Sequence, residues 1–110
     1  MISKELLNEV LGYEASYIQI VGTKLCFSCH IKGGSNINIY ELAHKCKEWA
    51  YKQGYAILSG NSAYGIGAFF CSCKGWLSEN YDKRIEISHN TEPEAIFKAC
   101  QWILNNKENK

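Results

Sequence analysis

The sequence predicts an α+β domain built from a mostly antiparallel sheet of about four to five strands, two main helices and a short N-terminal helix. Three observations predict it. Capping residues stand at the starts of two amphipathic helical stretches, β-rich runs are separated by glycine-containing turns, and 110 residues suit one core rather than two, so residues 1–110 are read as a single domain.

The first helix is expected from Ser3 to Leu11. Ser3 can accept a hydrogen bond from the first free amides, Leu6, Leu7, Val10 and Leu11 recur at helical spacing, and Gly12 ends the run. Tyr17–Val21 and the segment from Leu25 to Ile31 flank the turn Gly22-Thr-Lys and read as a hairpin, after which Gly33-Gly34-Ser35-Asn36 is expected to break the strand. The second helix is marked by Asn38 and Glu41 at capping-box spacing. Ile39, Leu42, Ala43, Cys46, Trp49 and Ala50 then form one apolar stripe, and Gly54 stops it. Tyr55 to Gly60 and Ala68 to Cys73 read as strands of a second hairpin around the glycine-rich stretch Gly60–Gly67, and Arg84 to His89 alternates apolar and polar residues as a one-sided strand does. In the last helix Thr91 caps, Pro93 occupies the first turn and Glu94 takes the third helical position. Ala95, Ile96, Ala99, Trp102 and Ile103 build its buried face with Cys100 at the rim, and residues 105–110 are expected to fray as a polar tail.

Hydrophobic residues make up 46% and charged residues 21%, the balance of a globular protein rather than a disordered one. The net charge of +1 comes from twelve basic and eleven acidic side chains, which argues against a nucleic-acid partner. Lys45, Lys47 and Lys52 are diluted by Glu41 and Glu48 and read as a solvated helix face. Glu5 and Asn8 interrupt what a signal peptide would need as an apolar core, and no apolar run approaches the ~20 residues that span a bilayer. A cytoplasmic location without membrane association is therefore expected, with the six cysteines reduced or bound to metal rather than paired as disulfides.

Three kinds of chemistry are weighed on these residues. Cys26-Phe-Ser-Cys29-His30 matches a c-type haem attachment pattern, but it falls in a strand, lacks an export signal and finds no methionine beyond Met1 for an axial ligand, so haem is set aside. A structural zinc held by Cys26, Cys29, Cys71 and Cys73 is the alternative reading. The first pair has zinc-knuckle spacing, whereas the single residue between Cys71 and Cys73 puts both side chains on one strand face. The main reading has no metal or cofactor and treats these thiols as small hydrophobes. For nucleophilic catalysis, Cys29 and His30 would face opposite ways in a strand, His44 flanks a helix stripe, and His89 precedes a helix cap where a structural hydrogen bond is expected. Gly60–Gly67 lacks the lysine of a phosphate loop. Tyr51, Tyr55, Tyr64, Phe69, Phe70, Trp76 and Tyr81 are dense for so small a domain, and among them Tyr64, Trp76 and Tyr81 are the candidate protein-binding residues.

The run Ile37-Asn-Ile-Tyr-Glu-Leu-Ala-His-Lys-Cys-Lys-Glu-Trp-Ala, the strand pair after it, the leading Leu11-Gly12-Tyr13 and the closing Thr91-Glu-Pro-Glu-Ala-Ile-Phe-Lys-Ala-Cys-Gln-Trp-Ile-Leu together resemble the small phage and prophage proteins grouped as the phage ABA sandwich domain. The likeness spans most of the chain except the hairpin from Cys26 to His30. It implies a helix, sheet, helix (α/β/α sandwich-like) layering and an origin in a phage or another mobile element. It carries over no catalytic residue. The function it implies is that of a non-enzymatic accessory protein that binds a host protein, with inhibition of a host defence system such as CRISPR as one form. Apart from the resemblance, a homodimer is a candidate assembly.

Overall fold

The computed structural model describes residues 2–12, 15–29, 33–61 and 69–108, and of Cys29, Lys107 and Glu108 only the backbone. The elements in chain order are α1 (Lys4–Leu11), β1 (Tyr17–Val21), β2 (Lys24–Cys29), β3 (Gly33–Asn38), α2 (Ile39–Lys52), β4 (Tyr55–Asn61), β5 (Phe69–Gly75), β6 (Arg84–His89) and α3 (Glu92–Glu108). The α+β class holds. The strands, however, number six among the described residues and form two three-stranded antiparallel sheets, β1-β2-β3 and β4-β5-β6, where one sheet of four to five strands was expected.

The extra strand is the segment expected to break. Gly33–Asn38 pairs with β2 in the register Gly34↔Ser28, Ser35↔Phe27 and Ile37↔Leu25, so the ladder supplies partners that override the low strand propensity of glycine and asparagine. Asn38 ends β3 and at once caps α2, its Oδ1 accepting from the amides of Tyr40 at 2.9 Å and Glu41 at 3.4 Å. At the chain's start Ser3 Oγ accepts from Leu6 N at 3.1 Å and donates to Gln101 Oε1 at 2.6 Å, so one hydroxyl caps α1 and ties it to α3. Gly12, at φ 80°, closes α1 in the left-handed conformation that a helix end takes most readily with glycine.

Helices α2 and α3 pack on each other and on the inner face of β4-β5-β6, and α1 packs on both. That face presents Ile57, Cys73 and Ile85 in one register row and Ser59, Cys71 and Ile87 in the next. The same core reaches the first sheet through Leu25 and Phe27, at 0% and 4% exposure, with Ile18, Ile20 and Ile37 packed against it. Burying a leucine as completely as Leu6, Leu7, Leu25 or Leu42 contributes about 2 to 3 kcal/mol each. The last helix continues to Glu108, past the expected start of a tail at Asn105, because Gln101 Nε2 donates to Asn105 Oδ1 and Asn106 Nδ2 to the Trp102 carbonyl. Cys100, expected at the rim, is fully buried. No described helix is long and apolar enough to cross a membrane.

Candidate functional site

The most tightly built surface feature lies where β5 leaves the second sheet and returns as β6. The connecting loop is organised by Asn80, the buried polar residue at 4% exposure. Its Oδ1 accepts from Leu77 N at 3.0 Å, its amide donates to the Leu77 carbonyl at 3.0 Å, and its own carbonyl accepts from Lys83 N at 3.0 Å. Gly75 N donates to the Lys83 carbonyl at 2.9 Å and Trp76 N to the Gly54 carbonyl at 2.8 Å, which fastens the loop to both its strand and the end of α2. Two glycines permit this closeness. A Cβ on Gly75 would stand 1.9 Å from the Asn80 carbonyl oxygen, and Gly54, at φ 94°, would drive one to 2.5 Å from Leu77 Cδ1. The Tyr55 hydroxyl is raised above the ordinary tyrosine range chiefly by burial and, more weakly, by charge at Cys73, while its hydrogen bond to Asn80 pulls the other way.

On this frame stand exposed aromatics. Trp76, 44% exposed, stacks on Tyr51 with ring centroids 5.0 Å apart at 24°, and Tyr81, 62% exposed, lies under the Lys74 ammonium at 4.5 Å. Large rings held in place lose little entropy on binding, which is why rigid tyrosine and tryptophan recur at protein interfaces. Of the predicted binding residues, Trp76 and Tyr81 flank this one loop, and Tyr64 lies outside the described residues. Tyr51 and Lys74 were not among them. The signal for Tyr51 was available, since it falls off the apolar stripe of α2 near the helix end, but its stacking partner is distant in sequence.

The cysteines divide differently from the predicted pairs. Cys26 is part-buried on the outer face of the first sheet, between Gln19 and Asn36 in register, whereas Cys71 and Cys73 lie on the inner face of the second sheet. Cys29 ends β2, and His30 lies outside the described residues. Among the described residues no group of three or more His, Cys, Asp or Glu side chains is placed to hold a metal. Instead Cys71 and Cys73 share the core with Cys46 of α2 and Cys100 of α3, where Cys100 Sγ donates to the Cys46 carbonyl at 3.5 Å.

Burial pushes the Cys71 thiol up to about 11, with Lys47 lowering it and Glu92 raising it. Burial and then charge at Cys71 push Cys73 up to about 12. Cys100 is raised further, first by its hydrogen bond with Cys46 and then by burial. These thiols are therefore protonated at neutral pH, the opposite of an activated nucleophile.

Neither histidine among the described residues has a hydrogen bond to these thiols. His44 pairs with Glu48 at 3.1 Å on the exposed side of α2. His89 Nδ1 is buried without a hydrogen-bond partner among the described residues. A cleft of about 470 Å³ between α1 and α2 is lined by Glu9, Lys45, Glu48 and Lys52, and one of about 160 Å³ by Tyr40, His44, Lys47 and Glu92, and neither is lined by a cysteine. No protein-family model matches the chain, and neither does any curated protein or solved structure.

Proposed function

We propose that this chain is a small non-enzymatic binding protein that engages a protein partner through Tyr51, Trp76 and Tyr81. The observation that carries this reading is the pairing of exposed aromatic rings with a loop whose backbone is closed by Asn80 and by the close approach of Gly54 and Gly75. An exposed Trp–Tyr stack leaves apolar area in water that a partner would remove, at about 25 cal/mol per Å². Lys74 over Tyr81 adds a cation at the edge of that area, which favours a partner surface with acidic groups at its margin.

The resemblance to phage ABA sandwich proteins extends the reading: the partner is a host protein, the chain is a phage or prophage accessory protein acting in the host cytoplasm, and inhibition of a defence system such as CRISPR is the form to test first. Immobilised chain is to be exposed to bacterial host lysate and, separately, to purified defence effector complexes. Saturable capture of one component, lost with Trp76→Ala and Tyr81→Ala while circular dichroism is unchanged, is the expected result. Capture unaffected by either substitution would overturn the assignment of the surface.

A further inference from the structure

The second sheet ends on β4, and the backbone bonds of Tyr55–Asn61 run to β5 alone among the described residues. In an antiparallel pair every second residue turns its N–H and C=O away from its neighbour, so this edge holds unpaired donors and acceptors that another strand can complete. Natural edges are usually protected by charge, proline or a bulge, yet the sequence Tyr-Ala-Ile-Leu-Ser-Gly-Asn has no charged residue and no proline. Leu58, at its centre on the outer face, is 68% exposed, the most exposed large hydrophobic side chain among the described residues.

The geometry points to a second copy of this chain as the occupant of that edge. A two-fold axis perpendicular to the sheet keeps both outer faces on one side and pairs residues of like face. Placed at Leu58, the exposed centre of the described strand, such an axis pairs Tyr55 with Asn61 of the second copy, Ala56 with Gly60, Ile57 with Ser59, and Leu58 with itself. No like charges are brought together. The Phe70 ring, 3.4 Å from the Cβ position of Gly60, extends the apolar contact offered to Ala56 of the second copy.

The other edges fit less well. β6 has six residues, so full overlap would put outer against inner faces, and its outer face carries Arg84 and Glu86. β1 is two residues shorter than β4 and would seat Gln19, already bonded by the Tyr17 hydroxyl, on the axis. The resulting assembly is a continuous six-stranded sheet with the strand order β6-β5-β4-β4-β5-β6. It carries two copies of the Trp76 loop, so a partner with paired sites would be held bivalently.

Sedimentation of the full chain over a concentration series tests this, with Trp76 left intact so that self-association is read apart from partner capture. A reversible dimer is expected, and Leu58→Lys, which sets two ammonium groups against each other on the axis, is expected to weaken it by about tenfold or more. Ala56→Lys is expected to weaken it too and serves if Leu58→Lys fails to fold, while Arg84→Glu on β6 leaves it unchanged. A chain that is monomeric throughout the series, or a dimer indifferent to both lysine substitutions, overturns the inference.

Discussion

The two sheets have the same strand order and the same antiparallel pairing, yet a glycine means different things in each. Gly34 in the first sheet faces open space, whereas Gly75 in the second faces the backbone of Asn80 at a distance no Cβ can occupy. The first sheet is a cover: its inner row closes the core through Leu25 and Phe27, and its outer row of Gln19, Lys24, Asn36 and Asn38 meets water. The second sheet is a scaffold. Its inner face seats two helices, and its ends are drawn tight enough to hold Trp76 and Tyr81 outward. Backbone hydrogen bonds and close glycine approaches are concentrated where the exposed aromatics stand, the arrangement that the proposed binding surface requires.

The sharpest way to break that contrast is Gly75→Ala. With its Cβ aimed at a backbone oxygen rather than a flexible side chain, the loop must open, and a loss of about 3 kcal/mol or more in chemical denaturation is expected. Leu25→Ala in the first sheet is expected to cost about 3 kcal/mol through loss of a fully buried side chain, without disturbing Trp76 fluorescence beyond what unfolding explains.

A pH titration probes the second sheet's inner face. Thiols that ionise at 9.0 in the unfolded chain are held protonated to about 11 and about 12 at Cys71 and Cys73, so the unfolded state releases its protons first. Their contribution to stability is therefore complete below pH 9 and declines as pH rises from there through 11 to 12. A denaturation midpoint constant across pH 9 to 11 would contradict this.

Asn80→Ala removes the acceptor of Leu77 N and leaves that amide unsatisfied, an expected cost of about 2 kcal/mol, with increased exchange of the loop amides. The smallest effects separate surface from frame. Trp76→Ala should cost about 1 kcal/mol, the scale of its stack on Tyr51, while abolishing partner capture. Gly34→Ala should lie within about 0.5 kcal/mol of the wild type, since nothing stands within 4 Å of the added methyl and φ is not left-handed. Elemental analysis of chain purified without added metal is expected to find no stoichiometric zinc. One equivalent lost on replacing Cys73 would reinstate the zinc reading.

The helices were the most legible part of the fold. Their stripes and caps depend on residues within a turn or two of each other, so Ser3, Asn38 and Thr91 act where local sequence places them, with Thr91 Oγ1 accepting from Glu94 N at 3.3 Å. The strand Gly33–Asn38 was not legible, because its reason for being extended is β2 and not its own composition. The cysteines mislead for the same reason: spacing along the chain paired Cys26 with Cys29, while packing put Cys71 and Cys73 with Cys46 and Cys100. At the candidate site Trp76 and Tyr81 could be picked out as aromatics in a poorly patterned segment. Their rigidity could not, since it comes from Gly54, Tyr55 and Asn80 meeting across about 26 residues of chain.

By itself, then, the sequence determined the α+β class, the three helices with their starting caps, and the alternating faces of the strand Arg84–His89, because periodicity and capping are local physics. Tertiary structure decided the division into two sheets, the convergence of four thiols, and the closure of the loop that carries Trp76. Those outcomes depend on which distant surfaces exclude water together and on which glycines let two backbones approach, and neither is written at any single position.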